Sequence, residues 1–300
     1  MMKIPLIERR IRACLPIIRL MQRCIPLSIA NWFIKQGLAH VKLDAETICE
    51  PVNADGVPCE WIIPRNNSVN HVLLYLHGGG FVFRLTPLHI KMGEYLAQKI
   101  GARILMVDYR TSPEYPFPAA LDDCVTTYLW LMKQGTSAQN IVIAGDSAGG
   151  NLTITLLMKL RDKGIALPAA AACLSPVTSL VVKDNPSEDF KDPLISSKSA
   201  KFYFQSYVGK NDNHHPLISP VFGNMHCLPP LLVHAGENET LREDAINITE
   251  LAKAAGVDVR LEIYPRMWHV WQLYLSLPQA IHSLDDIANF FKEHLTIDTK

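Results

Sequence analysis

The chain has 300 residues, of which 48% are hydrophobic, and this is enough to bury a large core in a single domain. Lys and Arg together number 29, Asp and Glu also number 29, and the formal net charge is therefore zero. A neutral chain excludes a general electrostatic attraction to nucleic acid or to anionic lipid. We therefore expect no nucleic-acid partner.

The amino-terminal segment, residues 1–43, is helical in character and basic. Leu and Ile residues are interleaved with basic residues, which up to residue 35 are Lys3, Arg9, Arg10, Arg12, Arg19, Arg23 and Lys35. Such a pattern occurs in membrane-surface helices and in secretion signals. Here the charges recur too often for an uninterrupted apolar signal core, and Pro16 and Pro26 interrupt the helix. We therefore expect folded helices and no stable membrane anchor.

Six short apolar runs alternate with helical stretches along the rest of the chain. They cover residues 72–76, 104–107, 141–144, 170–174, 231–235 and 259–264. Continuous apolar runs separated by helices are typical of parallel strands that are buried on both faces. The pattern predicts an α/β fold with a mostly parallel sheet.

A glycine-rich turn follows the first of these strands and comprises His77, Gly78, Gly79, Gly80 and Phe81. Consecutive glycines leave backbone N–H groups accessible. In acyl-transfer enzymes, such groups stabilise the oxygen that becomes negative in the tetrahedral intermediate. By itself the turn is also compatible with a plain flexible connection.

A second glycine-rich sequence, Gly-Asp-Ser-Ala-Gly-Gly-Asn, occupies residues 145–151 between the third strand and an apolar helical stretch. A strand that reverses sharply into a helix between glycines forms a nucleophile elbow, which pushes Ser147 out of the turn. The N–H of Ala148 lies in the first turn of the helix, where negative charge is stabilised. The pattern predicts a nucleophilic serine.

The strand at 231–235 opens into a loop with four carboxylates, Glu237, Glu239, Glu243 and Asp244. An acid that orients a catalytic histidine is expected after a strand, between the serine and the histidine in the chain. A loop can direct any of the four towards the histidine. Spacing alone therefore leaves the choice of acid open.

The chain contains eleven histidines, and the position of His269 in the sequence makes it the best candidate for the general base. It follows the last predicted strand and precedes an amphipathic helix, which puts it at the carboxyl edge of the sheet. His282 and His294 fall within that helix, where a solvated face is the simpler interpretation.

Metal and redox chemistry find no support in the sequence. His214 and His215 are adjacent and have no further ligands at zinc spacing, so neither a metal nor another cofactor is expected. The seven cysteines are an odd number without CxxC spacing. They indicate free thiols in a reducing compartment, and thus a cytoplasmic location.

Taken together, several motifs make the sequence resemble the bacterial esterases of the hormone-sensitive-lipase family, within the α/β-hydrolases. The motifs are HGGGF at 77–81, DYRTSPEYPFPAALDD at 108–123, GDSAGGN at 145–151, HPLISP at 215–220 and MWHVWQ at 267–272. The match covers nearly the whole chain. The resemblance implies the α/β-hydrolase fold, with a mostly parallel central sheet flanked by helices and a helical cap.

The resemblance also assigns roles to residues. Members of the family carry an Asp two positions before a Leu in the acid loop, and Glu239 stands at that place. This implies that Glu239 is the acid, with glutamate replacing the more usual aspartate. It further implies an oxyanion hole formed by the N–H groups of Gly79, Gly80 and Ala148, with Gly78 setting the turn.

The family's cap corresponds here to residues 1–43 and about 185–213, and the catalytic domain to 44–184 and 214–300. The second cap segment contains the aromatic residues Phe202, Tyr203, Phe204 and Tyr207. Aromatic side chains in a cap form an apolar acyl pocket that limits substrate size, or they pack the cap onto the core. Family members often pair through a sheet edge, which leaves a homodimer open.

The resulting expectation is a carboxylesterase that acts on short to medium acyl esters of small molecules. Ser147 attacks the ester, His269 acts as base and then as acid, Glu239 orients His269, and an acyl-enzyme forms. An amidase or an acyltransferase could use the same triad. A ligand receptor on the same scaffold, such as the plant gibberellin receptors, has lost the histidine, whereas His269 is present here.

Overall fold

The computed structural model describes residues 5–65, 70–181, 192–195 and 197–295. The strands in this part of the chain are β1 (Thr47–Ala54), β2 (Val57–Pro64), β3 (Val72–Leu76), β4 (Arg103–Val107), β5 (Ile141–Asp146), β6 (Ala170–Leu174), β7 (Leu231–Gly236) and β8 (Val259–Tyr264). The α-helices are α1 (Leu6–Cys24), α2 (Leu27–Leu38), α3 (Pro87–Ile100), α4 (Ala119–Lys133), α5 (Ala148–Asp162), α6 (Ser197–Val208), α7 (Arg242–Ala254) and α8 (Pro278–His294).

The eight strands of the described residues form one sheet in the order β1-β2-β4-β3-β5-β6-β7-β8. The pairs β1–β2 and β2–β4 are antiparallel, and the remaining pairs are parallel. Every residue of β3, β5, β6 and β7 is buried, as expected for strands covered by helices on both faces. The predicted mostly parallel α/β fold is confirmed.

Two hydrophobic cores lie on opposite faces of the sheet, because successive side chains of a strand point to opposite sides. In β3, Leu74 packs into the core that contains residues of α4, α5 and α7. Its neighbours Leu73 and Tyr75 pack into the core formed with α3 and α8. Helices thus cover both faces of the sheet. The carboxyl ends of its parallel strands lie along one edge.

The antiparallel hairpin β1–β2 was not among the predicted strands. Most of its residues are exposed or half-buried, and Pro51 and Pro58 interrupt the apolar pattern. The turn that joins the two strands, Asp55-Gly56, has positive φ at both positions. An Asp-Gly pair is a strong hairpin signal, and it could have revealed these strands.

The helices α1, α2 and α6 do not flank the sheet. Leu15 of α1 packs with Met267, Trp268 and Trp271 in a third core. In α6, Tyr207 stacks on Phe81 with ring centroids 3.7 Å apart. The exact cap boundaries stay a prediction, and part of the second predicted segment, residues 185–191 and 196, lies outside the described residues.

Candidate active site

The nucleophile elbow predicted at Ser147 has the backbone of a strained turn. Ser147 lies between β5 and α5 with φ 53° and ψ −115°, a conformation that a residue with a side chain rarely adopts. Its N–H donates to the Leu174 carbonyl at 2.8 Å, and its own carbonyl accepts from Val177 N–H at 3.1 Å. The residues after β6 therefore hold this turn from both sides.

The glycines beside Ser147 are required by close packing. A Cβ at Gly145 would overlap the carbonyl of Gly149, and a Cβ at Gly149 would overlap the carbonyl of Leu76 at the end of β3. The start of α5 can approach β3 this closely because neither position carries a side chain. This contact brings the serine next to the glycine-rich turn that follows β3.

His269 lies in the loop after β8 and is nearly fully buried. Trp268 and Trp271, both completely buried, enclose the loop. The Nδ1 atom of His269 is 3.9 Å from Glu239 Oε2. The carboxyl group therefore faces this ring nitrogen beyond hydrogen-bond distance, and Nδ1 has no hydrogen-bond partner among the described residues.

Of the four carboxylates in the acid loop, Glu239 is the one that faces His269. Glu237 is exposed and accepts from Arg266 N–H at 2.7 Å. Asp244 accepts from the N–H groups of Thr178 and Ser179 at 2.7 and 2.8 Å. Glu243 is exposed and pairs with Arg242 at 3.0 Å. The structure thus distinguishes Glu239 from the other three carboxylates, which the spacing in the sequence could not do.

Ser175, directly after β6, is a site residue that the sequence analysis missed. It is fully buried with φ 48°, and its hydroxyl donates to Glu239 Oε2 at 2.6 Å. The same hydroxyl accepts from Val270 N–H at 3.2 Å. Ser175 therefore connects the carboxylate to the backbone of the histidine loop. Its position after a buried strand, at the edge where the site residues converge, was the available signal.

The electrostatics of the pair follow from burial. Burial lowers the pKa of the His269 imidazole to about 4, with the nearby charge of Asp146 opposing the shift. Burial also raises the pKa of the Glu239 carboxyl, and Asp192 adds to this, whereas the hydrogen bond from Ser175 lowers it. Since burial makes the charged form of the imidazole costly, the resting imidazole is neutral and able to accept a proton.

The glycine-rich turn after β3 leaves backbone donors unused. Gly79 and Gly80 have φ 121° and 61°, and neither N–H donates to another of the described residues. The Gly78 N–H instead donates to Asp146 Oδ1 at 2.8 Å, and a Cβ at Gly78 would overlap this carboxylate. Gly78 thus anchors the turn, while the next two N–H groups are available to a ligand.

Helix α6 covers this turn. A Cβ at Gly80 would lie 2.8 Å from Tyr203 Cδ2, so the aromatic ring rests directly on the glycine. Tyr203 also packs edge-on against Phe83, with centroids 5.6 Å apart. Aromatic side chains therefore form the roof over the unused N–H groups.

Within the described part of the chain, no group of three or more His, Cys, Asp and Glu side chains could hold a metal ion. The arrangement that is present comprises a serine on a strained turn, a buried histidine facing a carboxylate, and unused N–H groups. These are the components of nucleophilic attack on a carbonyl.

Comparison with known proteins identifies the class. Residues 73–273 match the model of a family described as alpha/beta hydrolase fold. An acetyl-hydrolase of Streptomyces hygroscopicus is 36% identical over 236 residues, which cover 78% of this chain and 79% of that protein.

Solved structures agree. An esterase of the bacterial hormone-sensitive-lipase family is 34% identical, with a TM-score of 0.88 and coverage of 99% of this chain and 100% of its own. The esterase EstE5, soaked with p-nitrophenyl butyrate, is 32% identical with a TM-score of 0.84, over 93% and 97% of the two chains. The chain belongs to the α/β-hydrolase family and, within it, to the hormone-sensitive-lipase group of esterases. The predicted family is confirmed.

Proposed function

We propose that this protein hydrolyses carboxylic esters with short to medium acyl chains through Ser147, His269 and Glu239. One observation carries the proposal. A buried histidine and a buried carboxylate face each other at 3.9 Å, at the sheet edge where a serine occupies a strained elbow. Strained backbone and buried ionisable side chains of this kind cluster at catalytic sites.

The first half of the reaction acylates the serine. His269 takes the proton of the Ser147 hydroxyl, and the oxygen attacks the ester carbonyl carbon. The carbonyl oxygen becomes negative and accepts hydrogen bonds from the N–H groups of Gly79, Gly80 and Ala148. The intermediate then collapses, and the alcohol leaves with the proton from His269.

The second half repeats these steps with water as the nucleophile. His269 takes a proton from water, the hydroxide attacks the acyl-enzyme, and the acid leaves as Ser147 regains its proton. In both halves Glu239 stabilises the transient imidazolium. Ser175 holds the carboxylate in place, since its hydroxyl donates at 2.6 Å.

The proposed range of acyl chain lengths follows from the aromatic side chain of α6 that covers the glycine-rich turn. Tyr203 rests on Gly80, so a long acyl chain meets aromatic side chains directly above the oxyanion donors. The relative EstE5 was soaked with an ester of butyrate, a short acid. Short to medium acyl groups fit this enclosure better than long ones.

A panel of p-nitrophenyl esters from acetate to palmitate tests the proposed function. We expect kcat/KM to peak at a short or medium chain and to fall steeply for palmitate. A paired p-nitroanilide and an added alcohol distinguish hydrolysis of esters from amide hydrolysis and acyl transfer. Labelling by an organophosphate should modify Ser147, and an intact protein that is neither labelled nor hydrolytic would refute the proposal.

The acid limb of the pH profile tests the environment of His269. Burial lowers its pKa to about 4. The base must be neutral, so activity is present above this pKa and is lost as the pH falls through it. We expect kcat/KM to remain near its plateau at about pH 6, where an ordinary histidine is already largely protonated. Circular dichroism at each pH controls for unfolding, and a midpoint near the ordinary value of about 6.5 would contradict the prediction.

Replacing Ser175 by alanine tests its positioning role. The change removes the hydrogen bonds to Glu239 and to Val270 N–H. We expect kcat/KM to fall by about 10- to 100-fold, the usual effect of losing a buried charge-assisted hydrogen bond that orients a catalytic group.

The Ser175→Ala variant should also lose activity at a higher pH than the wild type, because its histidine loop is less well fixed and more accessible to water. Ser276→Ala, at an exposed position of the following loop, is the matched control. An S175A variant with unchanged kcat/KM and an unchanged pH profile would show that Ser175 has no part in positioning.

We also propose a cytoplasmic location. All seven cysteines are free thiols, and four of them, Cys14, Cys24, Cys49 and Cys227, are exposed. Exposed free thiols persist in a reducing compartment. Fractionation of cells that express the full chain tests this.

A further inference from the structure

The first amino-terminal helix, α1, contacts the rest of the protein through the polar side chains of Glu8 and Arg12. Glu8 is fully buried and pairs with Arg12 and with Arg266 of the histidine loop, each at 3.3 Å. The Arg12 guanidinium also donates to the Arg266 carbonyl and lies 4.9 Å from the ring centroid of Trp268. The inner face of α1 is therefore held mainly by polar contacts, with Leu15 as its buried apolar residue.

The second helix, α2, is oriented in the same way. Asn31 donates to the Val82 carbonyl at 2.9 Å and accepts from Arg84 N–H at 3.1 Å. No residue of α2 is buried. Its inner face thus also contacts the protein through a polar side chain.

The outer surface of both helices carries many large apolar side chains. Seven large hydrophobic side chains, which we call the apolar face, are between 47% and 61% exposed: Leu6, Ile17, Leu20, Met21, Ile29, Trp32 and Phe33. A helix on the surface of a globular protein normally has the opposite arrangement, with its apolar side inward. Large exposed apolar side chains concentrated in one segment of a chain are typical of a site of interaction.

The charges on this surface favour one kind of partner. Between residues 5 and 38 the single acidic residue is Glu8, which is buried, whereas Arg9, Arg10 and Lys35 are exposed. A symmetric contact with a second copy through this surface would offer these cations no exposed carboxylate from residues 5–38. An anionic surface instead attracts them, although the whole chain has no net charge.

We propose that the apolar face of α1 and α2 binds reversibly to membranes that contain anionic lipids. The helices would lie in the plane of the interface, with Trp32 and Phe33 at the level of the headgroups. No helix among the described residues is long and apolar enough to cross a bilayer. The contact is therefore peripheral and is no stable anchor.

The membrane contact would position the candidate active site. Arg12 of α1 binds the Arg266 carbonyl in the loop that carries His269, so the same helix contacts the lipid and the histidine loop. The site would then lie close to the interface, where apolar esters partition. The binding itself does not depend on the proposed catalytic function.

Sedimentation of the full chain with vesicles tests the proposal. We expect binding to vesicles of phosphatidylcholine and phosphatidylglycerol, much weaker binding to phosphatidylcholine alone, and a decrease at high salt. The double variant Trp32→Ser/Phe33→Ser should lower the partition coefficient about 100-fold, because each buried aromatic side chain contributes a factor of about ten or more. Arg9→Gln/Arg10→Gln should lower it about 30-fold, because each basic residue near an anionic surface contributes about 1 kcal/mol.

Matched controls change residues of the same type elsewhere. Leu129→Ser/Leu251→Ser removes two exposed apolar side chains from α4 and α7, and Lys253→Gln removes a remote positive charge. Both control variants should bind vesicles as the wild type does. Circular dichroism and hydrolysis of a water-soluble ester verify that each variant is folded.

Tryptophan fluorescence provides a second measurement that needs no destabilising change. Trp32 is the exposed one of the five tryptophans, so vesicles should shift the emission of the wild type to the blue. Trp32→Phe should abolish this shift and retain vesicle binding, because the side chain stays apolar. Absence of binding to anionic vesicles would overturn the proposal. Unchanged vesicle binding by W32S/F33S would also overturn it. The same holds if the wild type forms a dimer that does not bind vesicles and that dissociates when Trp32 and Phe33 are changed.

Discussion

Replacing Ser147 by alanine is expected to lower kcat by about 10⁶-fold, the scale on which a catalytic triad fails when its nucleophile is removed. Alanine lacks the oxygen that forms the acyl-enzyme. It is also compatible with the close packing around the elbow, because it is smaller than serine and keeps the backbone contacts of Leu174 and Val177. The loss should therefore appear in turnover with little effect on stability.

Initial rates with the best p-nitrophenyl ester measure this effect, and organophosphate labelling should disappear in parallel. Ser206→Ala, on the exposed side of α6, serves as control. Thermal unfolding of the Ser147→Ala variant should match that of the wild type to within a few degrees. Near-normal hydrolysis by a folded S147A protein would remove Ser147 from the mechanism.

Replacing Glu239 by glutamine is expected to lower kcat by about 10⁴-fold, the effect seen when the acid of such a triad becomes an amide. The amide has no negative charge, so it cannot stabilise the imidazolium that forms when His269 takes the serine proton. It can also donate to Nδ1, which fixes the wrong tautomer. Glutamine has nearly the same size as glutamate, so the buried site remains filled.

The ranking among neighbouring carboxylates makes this prediction specific. Glu237→Gln and Glu243→Gln should cost little activity, because both side chains are exposed. Asp244→Asn should affect stability more than turnover, because Asp244 accepts from the backbone at Thr178 and Ser179. If one of these three variants lost activity and E239Q kept it, the acid would be that other residue.

The fold was predictable wherever strands are buried on both faces. The runs at 72–76, 170–174 and 259–264 coincide with β3, β6 and β8, and the other predicted strands differ by one or two residues at an end. The hairpin β1–β2 lies at the edge of the sheet with one side towards solvent. Its polar and proline residues therefore hide the apolar signal on which the other strands were recognised.

The candidate site was predictable in part for a similar reason. The elbow and the glycine-rich turn require particular residue types, because close packing and positive φ exclude others, so Ser147 and Gly79 stand out in the sequence. The acid lies in a loop, where the direction of each side chain depends on distant contacts. Ser175 belongs to no pattern, and its role follows from a hydrogen bond to a residue 64 positions away.

The orientation of α1 was beyond sequence reasoning as well. Periodicity separates a polar side from an apolar one, and the usual rule puts the apolar side inward. Here the buried Glu8 pairs with the half-buried Arg266, 258 residues further along the chain. A local pattern cannot anticipate such a partner.

The carboxylate of Asp146 holds together the serine elbow and the glycine-rich turn after β3. Asp146 directly precedes Ser147 and accepts from Gly78 N–H and from the Tyr75 hydroxyl, both at 2.8 Å. The proposed nucleophile and the turn with the proposed oxyanion donors are thus linked through one carboxylate, and α6 lies over them. Exchanges at Tyr203 can remodel the chamber above, and so the choice of ester, without altering the distances on which bond making depends.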